Sequence, residues 1–92
     1  MFHYRAVYLR DETEQPIGLI VEKTSQGSLQ AVIWDRRKEQ WTFAPEVAAP
    51  IIFDPRNRRR WKLIDRKEAQ QIAKALGTTL PTEAKLQQLC ED

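Results

Sequence analysis

Apolar and polar residues alternate with a period of two through the first third of the chain. Phe2, Tyr4, Ala6 and Tyr8 fall on one side of residues 2–9, which predicts a strand. Ile17, Leu19 and Val21 do the same over residues 17–23, and residues 28–34 (Ser28 to Trp34) form a third such run. Between them, Asp11 to Gln15 is a polar turn, and Thr24, Ser25, Gln26 and Gly27 are turn chemistry. Asp35 to Glu39 makes a charged hairpin tip, and Gln40 to Phe43 returns as a short fourth strand. Separations this short favour an antiparallel meander, because parallel neighbours need a long crossover.

The period then lengthens. Val47, Ala48, Ile51 and Ile52 sit at helical spacing after Pro45, which suits a first helical turn. The expected helix over residues 45–53 breaks or kinks near Pro50, which lacks an amide and crowds the preceding turn. Asp54, Pro55, Arg56 and Asn57 fit a type I turn, and residues 59–64 read as a fifth strand. The helix over residues 66–76 is the best-marked element. Asp65 is its N-cap, and Glu68 completes a capping box. Ile64 and Ala69 are placed for a hydrophobic staple. Ala69, Ile72, Ala73 and Leu76 make its apolar stripe, and Gly77 is its stop. A last helix over residues 82–90 turns Leu86, Leu89 and Cys90 inward. The order ββββ-α-β-α-α predicts one α+β domain over residues 1–92, an antiparallel sheet of four to five strands with helices packed on one face.

That architecture raises the matter of the other face. Val7 and Leu9 in the first strand, Ile20 in the second, and Val32 and Trp34 in the third are assigned to it. With helices on one side only, these residues form an exposed apolar patch, a common mark of an interface. A strongly coiled sheet or a covering helix would bury them instead. Ile20, Val32, Trp34 and Trp41 are accordingly the candidate partner-binding residues, for a protein partner or a second copy of the chain.

Charge adds a second candidate. The formal net charge is only +2, but residues 36–67 carry ten basic and four acidic side chains. Both flanking segments are net acidic. Arg36, Arg37 and Lys38 occupy the hairpin tip between Trp34 and Trp41. Arg56, Arg58, Arg59 and Arg60 precede Trp61 and Lys62. Guanidinium groups take phosphate in a forked geometry, and indoles stack on unpaired bases. If the two segments adjoin on the sheet, they form one anion-binding patch, and nucleic acid is the alternative partner. Charged tips and edge strands also arise simply to hold off aggregation. Residues 71–89 superficially resemble a helix-turn-helix. Glu83 falls where an apolar residue should pack, and a helix ending in Glu91 and Asp92 repels phosphate. An αα-hairpin covering the sheet is the reading that remains.

Catalytic chemistry finds little footing. The single histidine, His3, has no nucleophile or metal-ligand partner visible in the sequence, and the three glycines form no phosphate loop. The lone cysteine, Cys90, lies on an apolar helical face and reads as a small core residue. No catalytic residue, metal site or cofactor is expected. One unpaired thiol and no signal-like or membrane-length apolar run predict a cytoplasmic protein without membrane contact. The expected function is a non-catalytic adaptor, inhibitor or accessory subunit that binds a protein.

Overall fold

A computed structural model of the chain describes residues 1–91. Asp92, counted above in the acidic end of the last helix, lies outside the described residues. Five strands form one antiparallel sheet: β1 (His3–Val7), β2 (Gly18–Ser25), β3 (Ser28–Asp35), β4 (Gln40–Phe43) and β5 (Trp61–Ile64). Three helices accompany it: α1 (Pro45–Phe53), α2 (Arg66–Ala75) and α3 (Glu83–Glu91). The strand order is β4-β3-β2-β1-β5, so β5 returns beside β1 and closes the edge opposite β4.

Local chemistry accounts for the joints. Gln26 and Gly27 both have positive φ, 53° and 78°, as a two-residue type I′ turn requires. That turn pairs Ser25 with Ser28 and sets Val21 directly opposite Val32. The Asp65 carboxylate accepts the Glu68 amide at 2.8 Å and caps α2. The return bond from Glu68 that would complete a capping box is not formed among the described residues. At the far end of α2, Gly77 adopts φ 87°. Its amide donates to Lys74 O, and Thr78 N donates to Ala73 O, a Schellman closure.

Two elements depart from expectation. The helix at 45–53 runs as one piece through Pro50. Proline removes a single amide there, and burial of Ala48 with packing of Ile51 and Ile52 holds the helix to the sheet. The turn expected at 54–57 extends into a 3-10 segment, Pro55–Arg60, started by the Asp54 carboxylate accepting Arg56 N at 2.9 Å. The fifth strand therefore begins at Trp61 rather than Arg59.

The helices divide between the faces. α2 and α3 cover the face of Tyr4, Ala6, Tyr8, Leu19, Val21, Val32 and Ile64, where Leu86 and Cys90 are buried among them. α1 crosses the opposite face and packs on Val7, Ile20, Ala31 and Ile33. The expected gathering of helices on one face thus holds for α2 and α3, while α1 forms a second, smaller layer.

Candidate partner-binding cleft

The exposed patch expected from Ile20, Val32 and Trp34 does not form. Ile20 is 1% exposed beneath α1, and Val32 is 0% exposed beneath α2 and α3. They do not even share a face. The I′ turn aligns Val32 with Val21 and Ile20 with Ile33, and a strand's side chains alternate. Val32 and Trp34 therefore lie on the α2/α3 side. Ile20 and Val32 are core residues and are withdrawn as contact residues.

Trp34 and Trp41 have a different fate. They stand directly opposite each other on β3 and β4, with ring centroids 5.6 Å apart and planes tilted by 53°. Both are half-buried, at the edge of the sheet where the core under α3 ends. Trp41 Nε1 donates to Thr79 O at 3.1 Å and to Thr78 Oγ1 at 3.3 Å. These bonds fix the indole against the loop between α2 and α3. The pair floors an open cleft of about 900 Å³. Leu76, Pro81 and Leu89 form its apolar wall, Gly77 to Thr79 its polar backbone wall, and Arg36, Glu39, Gln40 and Lys85 its rim. Sequence reasoning singled out the two tryptophans and Arg36 but missed the wall. The signal for it was the pairing of the Gly77 stop with Pro81, which forces a non-helical passage between α2 and α3.

The basic residues fall into two separate groups. Arg36, Arg37 and Lys38 are exposed on the β3–β4 turn, whose shape comes from Asp35 Oδ1 accepting Arg37 N and Lys38 N. Arg56, Arg58, Arg59, Arg60 and Lys62 lie at the β5 edge. Four strand spacings, roughly 19 Å, separate β4 from β5. The loop between β1 and β2 carries Asp11, Glu12 and Glu14. The condition for one continuous patch is thus not met.

The second group is also largely engaged. Arg56 grips both oxygens of Asp54 and draws that carboxyl below its ordinary pKa, first through the side-chain hydrogen bond. Arg60 donates from Nε to Tyr8 O and from Nη1 to Asn57 Oδ1. The Arg58 guanidinium lies 5.8 Å from the centre of the Trp61 ring. Arg59 is close enough to Asp11 to help lower its pKa, behind the larger effect of hydrogen bonds from Thr13. Arg58, Arg59 and Lys62 line a smaller cleft of about 310 Å³, which they share with Glu12. Around the first cleft, Arg36 and Lys85 are in no ion pair among the described residues. The ion pairs among the described residues are Arg5–Glu22 and Arg56–Asp54.

Other chemistry is sparse. Among the described residues no group of three His, Cys, Asp or Glu side chains is placed to hold a metal ion. His3 is exposed on the face opposite Tyr4, and Cys90 is buried, its thiol pKa pushed up first by loss of solvent. No helix among the described residues is long and apolar enough to cross a membrane. No family model matches this chain, and neither the curated proteins nor the solved structures contain a match to it.

Proposed function

We propose that this chain is a non-catalytic interaction module, of the adaptor, inhibitor or accessory-subunit kind, that binds a protein partner in the Trp34–Trp41 cleft. One observation carries this reading: two half-buried tryptophans form the floor of an open cleft of about 900 Å³, and one of them is held in place by hydrogen bonds to the cleft wall. Rigid aromatic anchors within a polar rim are the usual energetic centre of a protein contact. The unpaired, buried Cys90 suits a reducing compartment, and cytoplasm is the proposed location.

Nucleic acid is the alternative, favoured by the Arg36–Lys38 turn beside Trp34. Against it stand the wide separation of the two basic groups and the acidic loop at the same end of the sheet. A phosphate backbone needs a continuous cationic track.

A displayed random-peptide library, panned in parallel with labelled single-stranded oligonucleotides, separates the two. The expected result is enrichment of peptides that bind the wild type and lose binding to Trp34→Ala, with Trp34→Ala still melting cooperatively. Oligonucleotide binding whose log affinity falls linearly with log salt, without peptide enrichment, would replace the proposal by the alternative.

A further inference from the structure

The cations around the first cleft carry no counter-ion among the described residues. Arg36 and Lys85 stand on its rim, and Arg37 and Lys38 continue the same turn. None of the four is in an ion pair among the described residues, whereas Arg56 at the far edge is already held by Asp54. One acidic side chain, Glu39, lines the cleft. The free charge here is therefore positive, and it surrounds an aromatic floor.

The backbone beside the cleft is also unsatisfied. β4 is an edge strand. Ala44 N donates to Ala31 O, and in an antiparallel ladder such bonded pairs alternate. Gln40 and Thr42 thus bond inward to β3, and Trp41 and Phe43 turn their N–H and C=O groups to the open edge. An extended peptide offers matching donors and acceptors in alternation, with successive side chains on opposite faces. A nucleic-acid strand does not.

We propose that the partner segment is an acidic peptide that adds as a strand to β4, drops an apolar side chain onto Trp34 and Trp41, and sets its carboxylates against Arg36 and Lys85. This rests on the reading of the cleft as a protein-binding site. It specifies the chemistry and the conformation of the occupant.

The test uses the full chain and an array of ten-residue peptides in three series. On the set of alternate positions that faces the cleft, the central residue is a randomised apolar one and the flanking residues are all Glu, all Gln or all Lys, with Thr at the positions between. Binding is read by fluorescence anisotropy. The Glu series is expected to hold the binders. Arg36→Gln and Lys85→Gln, both at exposed positions, are each expected to weaken them about tenfold, as loss of a charge-assisted bond does. N-methylation at alternate backbone positions should abolish binding, and shifting it by one residue should spare it. Melting curves of both variants check folding.

Equal binding of the Gln or Lys series overturns the acidic specificity and leaves the protein-binding reading intact. Insensitivity to N-methylation in either register overturns strand addition. Failure of all three series overturns the proposal and the reading together. Binding of single-stranded oligonucleotides alone, or self-association seen by sedimentation, assigns the cleft to nucleic acid or to a second copy.

Discussion

Trp41 Nε1 donates to the carbonyl oxygen of Thr79 at 3.1 Å, and this bond ties the sheet's edge strand to the loop between α2 and α3. It joins residues 38 positions apart in sequence. It also makes one wall of the cleft depend on the ring that forms its floor. Trp41→Phe keeps an aromatic ring but removes the donor. The expected cost is about 1 kcal/mol in denaturant unfolding, typical of a lost hydrogen bond. Amide exchange across residues 77–80 should quicken along with it. Trp34→Phe is the control, because no described residue accepts a bond from its indole. A wild-type exchange rate in the Trp41 variant would show that the loop is held by Leu76 and Leu80 alone.

The cap of α2 rests on one side chain. Asp65→Ala should lower stability by about 1 kcal/mol, since the Glu68 amide loses its acceptor. Glu68→Ala should change little, because Glu68 makes no return bond to the cap among the described residues. A loss in the Glu68 variant equal to that at Asp65 would mean that a closed capping box forms in solution. Urea midpoints for the two variants decide it.

Those elements were legible because their signals are local. A cap, a staple and a stop lie within a few residues of one another, and the α2 stripe of Ala69, Ile72 and Ala73 faces the core as its spacing predicts. The faces of the strands were legible only in part. Alternation within each strand taken separately puts Val32 beside Ile20, whereas the two-residue turn at Gln26–Gly27 forces it opposite Val21. Counting outward from that turn corrects the assignment. What no local pattern contains is the side of the sheet on which α1 crosses. Val47, Ala48, Ile51 and Ile52 announce a helix, but its placement follows from the return of β5 beside β1. That same long-range pairing carries Arg56 to Lys62 away from the tip at Arg36, and with it the single basic patch disappears. The two tryptophans stay half-buried because they stand on an edge strand pair, where neither helix layer closes over them.

Cys90 offers a test of the α3 contact with a sign fixed in advance. Burial raises its thiol pKa above the ordinary value, ahead of the smaller effects of Lys23 and Glu91. A raised folded-state value favours the folded protein at pH below the unfolded thiol's pKa. That contribution is lost as the pH rises through the folded one. Native labelling by a thiol reagent should therefore be slow at neutral pH, and denaturant should release it. Fast labelling of folded protein at neutral pH would place the end of α3 outside the core.

Asp54 provides the acid counterpart. The Arg56 side chain and amide depress its pKa, so its contribution is present above the unfolded carboxyl's pKa and is lost as the pH falls through the folded one. Asp54→Asn should lower the melting temperature at neutral and alkaline pH and meet the wild-type profile as the pH falls through the folded carboxyl's pKa. Its side chain can still accept from Arg56 N and start the 3-10 segment. Profiles that superimpose at neutral pH as well as at acid pH would assign no stabilising role to the pair.

The face under α1 holds a charge that the core tolerates only because it is matched. Arg5 Nη2 lies 3.1 Å from Glu22 Oε1, and their side chains are 16% and 7% exposed. The Arg5 guanidinium also lies 4.3 Å from the centre of the Trp61 ring, while its Nε makes no hydrogen bond. Taking two ions out of water costs several kcal/mol each, and their attraction returns that only when both are present. Glu22→Gln leaves a buried cation without its counter-ion, and a loss of about 3 kcal/mol is expected. Arg5→Met strands the carboxylate and should cost a similar amount. The double variant Arg5→Met with Glu22→Leu removes both charges and keeps much of the volume. It should recover most of the loss, because the unsatisfied Nε disappears with the pair. Its interaction with Trp61 becomes ordinary apolar packing. A double variant as unstable as either single one would mean that the pair stabilises the fold outright rather than matching one burial cost with another. Urea unfolding of the four proteins in the cycle distinguishes these outcomes.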